Sequence, residues 1–142
     1  MKLYFVALIP NETLREEVHQ LKKEIAEKTG GHKALKLPAH VTLEAPFKYD
    51  ENKEKDIFQV LEKVAFTHSN FNVLLENFGS FPRRTIFLKV ENPEPVNELF
   101  QMLQKELYKL TISAKKEEKS INPHMTVAFR DLTSEAFAKV WP

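Results

Sequence analysis

The sequence contains no cysteine, which excludes a disulfide framework and any zinc site built on several thiolates. It also lacks an excess of charge: 21 Lys and Arg stand against 20 Asp and Glu, a net of +1. That excludes the bulk positive field of a general nucleic-acid binder, so any phosphate recognition has to be local. No apolar run is long enough to span a membrane. The opening stretch Leu3–Ile9 is apolar but short, and a charged helical pattern follows it rather than a cleavage site. No long linker or low-complexity segment divides the chain. These absences predict one soluble, cytoplasmic domain over residues 1–142, and a hydrophobic fraction of 42% suffices for its core.

The elements follow from periodicity and punctuation. Lys2–Pro10 reads as a buried strand. Asn11 is placed to cap a helix with Leu14, Val18, Leu21 and Ile25 on its inner face, stopped by Gly30-Gly31. Leu35–Phe47 reads as a strand that Pro46 ends. A second helix starts near Glu51. Asn70–Phe78 and Arg84–Val90 read as strands joined by a turn at Gly79-Ser80-Phe81-Pro82. Pro93-Glu94-Pro95 opens a third helix, Lys115–Lys119 reads as a solvated loop, Ile121–Phe129 as a strand and Thr133–Trp141 as a last short helix. The order is that of an α+β fold with antiparallel hairpin character.

One pattern occurs twice. His40-Val-Thr42-Leu and His124-Met-Thr126-Val share the frame His-x-Thr-hydrophobic, and each follows a proline closely, Pro38 and Pro123. Two of the chain's five histidines fall in this frame. On a strand, residues two apart share a face, so each motif should present an imidazole and a hydroxyl together while Val41, Leu43, Met125 and Val127 point into the core. A single histidine on an apolar strand is usually a hydrogen-bonded structural residue. Two copies with matched flanks point instead to chemistry. A phosphodiester fits them: in-line displacement at phosphorus needs a base behind the nucleophile and an acid beside the leaving oxygen. Two histidines, one from each lobe, meet that need. The Thr42 and Thr126 hydroxyls can donate to the non-bridging oxygens, where charge builds. With no Asp, Glu or Cys at ligand spacing beside them, the two histidines make a poor zinc set.

Smaller expectations attach to five further residues. Arg83, at the turn beside Arg84, and Arg130, six residues beyond His124, are candidate phosphate contacts, since guanidinium matches phosphate geometry. Lys36 lies four before His40 and shares its face if the strand is regular. Phe47 and Phe81 are candidates to stack on a base, although core packing is the default for most of the 11 Phe. His19, His32 and His68 read as exposed residues without a role.

The doubled motif, its flanks Pro-Ala-His and Asn-Pro-His, the N-terminal strand followed at once by a helix, and the Phe78–Leu88 stretch resemble the two-histidine phosphoesterase superfamily, which includes 2′-5′ RNA ligases and RNA 2′,3′-cyclic phosphodiesterases. The resemblance spans nearly the whole chain. It implies a bilobal fold of two pseudo-symmetric lobes, each mostly antiparallel sheet with outer helices, around a central cleft. It implies substrates with a 2′,3′-cyclic phosphate or a 2′-5′ linkage, on RNA ends or nucleotides, and no metal or other cofactor. On this resemblance His40 matches the proton donor to the leaving oxygen and His124 the proton acceptor, while Thr42 and Thr126 match the phosphate-orienting hydroxyls. Family members usually continue past the second motif with further strands. Here the chain stops at Pro142, so the second lobe is expected to be cut short, with an exposed edge that invites self-association. The alternative function is a non-catalytic RNA- or nucleotide-binding module on the same fold.

Overall fold

The computed structural model describes residues 1–30, 32–81, 84–112, 120–129 and 133–141. In chain order these form β1 (Lys2–Leu8), α1 (Glu12–Thr29), a 3₁₀ turn (Lys33–Lys36), β2 (Val41–Tyr49), a second 3₁₀ turn (Glu51–Lys53), α2 (Glu54–Thr67), β3 (Leu75–Phe81), β4 (Thr85–Val90), α3 (Pro93–Lys109), β5 (His124–Ala128) and α4 (Ser134–Val140). The strands make a two-stranded sheet, β1–β2, and a three-stranded antiparallel sheet in the order β3–β4–β5. The fold is α+β, as the sequence pattern requires.

The chain divides into two compact units. The first comprises Met1–Ala7, Thr42–Leu74 and Asn92–Pro123. Its core is α2 against α3. Ile57, Val60 and Val64 face inward from α2, and Val96, Phe100, Leu103 and Leu107 from α3. The α3 set follows a strict helical stripe, and burying each such side chain contributes about 1.5–3 kcal/mol. Pro93 opens α3, where its missing N–H costs nothing. Two asparagines tie loops to this core. Asn92 accepts from the Leu74 amide at 2.8 Å and donates to the Asn72 carbonyl. Asn97 grips Ile121 at both backbone groups, accepting from its N–H at 2.7 Å and donating to its carbonyl at 3.1 Å.

The second unit comprises Leu8–Val41, Leu75–Glu91 and His124–Pro142. Helix α1 begins as its sequence dictates: the Asn11 side chain accepts from the Leu14 amide at 2.9 Å, and Gly30 ends the helix at φ 77°. Its buried stripe is Val18, Lys22 and Ile25, a lysine standing where the apolar period calls for a hydrophobe. α1 packs against β5, α4 and the first 3₁₀ turn. Thr133 caps α4 by accepting from the Ala136 amide at 3.0 Å.

Several strand boundaries differ from expectation, among them the start of β3 at Leu75 rather than Asn70 and of β5 at His124 rather than Ile121. Leu35–Phe47 is not one strand: Lys33–Lys36 coils as a 3₁₀ turn and β2 begins only at Val41. Pro46 lies inside β2 and does not end it. With β1 as its partner in a two-stranded sheet, half of the β2 N–H groups point away from the ladder, and a proline at such a position removes no bond. Gly79-Ser80-Phe81 is not a turn but the end of β3, paired with Phe87, Ile86 and Thr85. Just beyond it the Arg84 amide donates to the Phe81 carbonyl at 3.1 Å.

Candidate active site

The second motif opens β5, and strand parity governs it. Met125 and Val127 are buried at 2% and 1%, while His124 and Thr126 look out from the other face, half-buried. The antiparallel register with β4 sets Lys89 directly across from His124 and Phe87 across from Thr126. Cross-strand partners have Cβ atoms about 4.5–5.5 Å apart, so the Lys89 and His124 side chains leave the sheet from neighbouring positions on one face, the Lys89 stem running toward Gly79 of β3.

Aromatic rings wall the imidazole. Phe87 lies 4.9 Å from the His124 ring, and Phe81 meets it edge-on at 5.1 Å and 87°. Phe81 and Phe87 contact each other at 4.8 Å. Gly79 makes room for this cluster. It lies opposite Phe87, and a Cβ there would fall 2.6 Å from the Phe87 Cζ and 3.2 Å from the Lys89 Cε. The Phe87 ring and the Lys89 stem therefore lie over Gly79. Phe87 is 6% exposed and Phe81 is 42% exposed, so the inner ring packs and the outer one offers a face to solvent.

The first motif is held differently. His40 stands just ahead of β2, at the end of the Leu37–His40 stretch. Its Nδ1 lies 2.8 Å from the Pro38 carbonyl oxygen. A carbonyl can only accept, so Nδ1 carries the hydrogen and proton exchange is left to Nε2. Beyond it Val41 and Leu43 are buried at 2% and 5%, with Thr42 half-buried between them.

Both histidines belong to the second unit. Each lies at an edge of it: the chain leaves this unit after Val41, and the stretch that re-enters it last begins at His124. Within the second unit the 3₁₀ turn that leads to His40 packs against β5, the strand that His124 begins. Thr42 falls in the first unit and Thr126 in the second.

The remaining candidates are distributed as follows. Phe81 is in the His124 cluster. Phe47 stacks on Tyr4 at 6.0 Å, the packing role that is the default for a phenylalanine. Lys36 is exposed in the 3₁₀ turn, so the parity that aligned it with His40 does not apply. Arg84 is exposed at the β3–β4 turn; Arg83 and Arg130 lie outside the described residues. Two of the other histidines are less exposed than expected. His68 keeps only 12% of its side chain exposed, with Nδ1 on the Ser69 carbonyl at 2.8 Å and Nε2 3.8 Å from Glu98. His19 is half-buried against the segment preceding His40. The residue that sequence reasoning missed is Lys89. Its alternation with Phe87 was legible, but only the pairing register brings it to His124.

Among the described residues, no three His, Cys, Asp or Glu side chains converge on a metal position. No helix among them is long and apolar enough to cross a membrane.

The chain is similar to known proteins over most of its length. Residues 10–142 match the 2′-5′ RNA ligase superfamily. A protein named "Putative phosphoesterase" from Geobacillus sp. (strain WCH70) is 31% identical over 140 residues, covering 97% of this chain and 75% of the relative. A protein of the same name from Geobacillus thermodenitrificans (strain NG80-2) is 28% identical with the same coverage. Among solved structures, TT0787 of Thermus thermophilus superposes with a TM-score of 0.70 at 22% identity, over 92% of this chain and 75% of that one. E. coli LigT complexed with 3′-AMP gives 0.64 at 20% identity, over 93% and 74%.

Proposed function

Because the chain belongs to the 2′-5′ RNA ligase superfamily, we propose that it is a metal-independent phosphoesterase that opens 2′,3′-cyclic phosphates on RNA ends or nucleotides, by acid–base catalysis between His40 and His124. The observation that carries this reading is local: both motif histidines fall in one compact unit, and the turn leading to His40 packs on the strand that His124 begins. The presence of 3′-AMP in the structurally similar LigT supports a nucleotide as the ligand class.

In this reading His124 takes a proton from water as it attacks phosphorus. His40, charged, gives its Nε2 proton to the departing ribose oxygen, and the P–O bond to that oxygen breaks. Water supplies the nucleophile, so the product is a phosphomonoester beside a free hydroxyl. The Nδ1 bond to Pro38 holds the His40 ring so that the transferable proton sits on one nitrogen. Thr42 and Thr126 donate to the non-bridging oxygens, and the Lys89 ammonium offsets the charge that builds there. The exposed face of Phe81 stacks on the base. In ligation to a 2′-5′ linkage a 5′-hydroxyl replaces water: His124 takes its proton, the P–O bond to the 3′ oxygen breaks and His40 protonates that oxygen, while cleavage of the linkage reverses these steps with the histidine roles exchanged. The proposed setting is the cytoplasm.

Turnover of a 2′,3′-cyclic nucleotide tests the reading. His40→Ala and His124→Ala should each lower it by about 100- to 10,000-fold, and EDTA should leave the wild-type rate unchanged. Full activity in either variant overturns the mechanism. Nucleotide binding without turnover by the wild-type chain points to the binding module instead.

A further inference from the structure

Lys22 is a buried charge that the proposed chemistry does not use. It is 4% exposed on α1, in the stripe between Val18 and Ile25. Lysine is almost never fully buried unless a partner compensates it. Burial pushes its ammonium below the ordinary lysine value of 10.5, so the position is costly to keep charged. A methionine or leucine would satisfy the packing stripe at no such cost.

What the ammonium holds is the segment that carries His40. Nζ donates to the Leu37 carbonyl at 2.9 Å. The next carbonyl, that of Pro38, receives the Nδ1–H of His40 at 2.8 Å. Two successive carbonyls thus link a buried cation to the imidazole. Pro38 contributes no N–H and a restricted φ, and Ala39 is buried at 3%. Fixing one end of this segment orients the other. A comparable fixture precedes the second motif, where Asn97 grips Ile121 three residues before His124.

We propose that Lys22 is a positioning residue for His40: by holding the Leu37 carbonyl it sets the Pro38 carbonyl to receive Nδ1–H, which confines the exchangeable proton to Nε2. This rests on the reading of His40 as proton donor, but its structural half is measurable without any substrate. The segment's other charged and titratable neighbours, Glu12, Arg15, Glu16 and His19, line a shallow pocket of about 240 Å³ with it and are unchanged in the test variants.

The experiment is nitrogen-15 NMR of the His40 ring in the full chain, with steady-state kinetics on a 2′,3′-cyclic nucleotide. In the wild type, neutral His40 should be the Nδ1–H tautomer. In Lys22→Met the Nε2–H form should appear, and kcat should fall about tenfold or more with KM within about twofold, the pattern of a lost orienting contact. Lys22→Arg keeps a donor and should recover most of both signals. A folded Lys22→Met with wild-type tautomer and kcat overturns the proposal. If that variant does not fold, Lys22→Leu, which also lacks a donor and suits the apolar stripe, decides in its place by the same two readouts. A tautomer shift in a chain that never turns over the nucleotide would sustain the tether and sink the proposed reaction.

Discussion

Gly79→Ala is the change that probes the His124 cluster most sharply. Gly79 is in β3 and outside the left-handed region, so what the position requires is space. The added methyl would fall 2.6 Å from the Phe87 Cζ and still closer to its Cε2. Carbon atoms pack at about 3.5–4.0 Å, so the ring must withdraw by roughly 1 Å. Its retreat is blocked by Phe81 at 4.8 Å and His124 at 4.9 Å. Overpacking of this kind costs about 1–3 kcal/mol, a fall in Tm of roughly 4–12 °C for a chain this size. Displacing His124 by about 1 Å should lower kcat on a cyclic nucleotide by around 100-fold. Calorimetry and steady-state kinetics read both effects. The double variant Gly79→Ala with Phe87→Leu removes the clash, and its destabilisation should be smaller than the sum of the singles by at least about 1 kcal/mol. A Gly79→Ala protein that melts and turns over like the wild type would refute the packing argument and the placement of His124 in it.

Two further outcomes follow from the same description. Lys89→Met removes the cation across from His124 and should lower kcat/KM by about 10-fold, the loss of one charge-assisted contact, and reduce its dependence on salt. Unchanged kinetics at low salt would exclude Lys89 from phosphate binding. In the first unit, hydrogen bonds from Lys109 and then Lys63 hold the Glu106 carboxyl below its ordinary value of 4.5. A carboxyl with a lowered folded-state value stabilises the protein above its unfolded value and loses that contribution as pH falls through the folded one. Glu106→Gln should therefore show a smaller fall in Tm between neutral and acidic pH than the wild type, and equal falls would contradict the linkage.

What the sequence disclosed was local. Asn11, Gly30, Pro93 and Thr133 mark helix ends because a cap is made by a residue and its next few neighbours. The alternation in His-x-Thr-x survived for the same reason, and Met125 and Val127 are buried as parity requires. Misreadings arose where one residue type serves two purposes. Glycine signals turns, but Gly79 clears space beneath an aromatic ring within a strand. Leucines two apart at 35 and 37 resemble a strand, yet that segment includes a 3₁₀ turn. Lys22 escaped because a charged residue breaks an apolar stripe on paper, while in the fold its stem packs and its ammonium finds a carbonyl. Lys89 escaped because strand pairing joins residues 35 apart in sequence, and no local pattern fixes that register.

The central claim is a division of labour: His124 activates the nucleophile and His40 protonates the leaving oxygen. The most direct measurement compares both alanine variants on two substrates in EDTA, a 2′,3′-cyclic nucleotide and a nucleotide p-nitrophenyl phosphodiester whose leaving phenolate needs no proton. The account predicts that His40→Ala, slower by about 100-fold or more on the cyclic phosphate, regains most of its rate on the activated ester, while the deficit of His124→Ala persists. Equal deficits for His40→Ala on both substrates would contradict it.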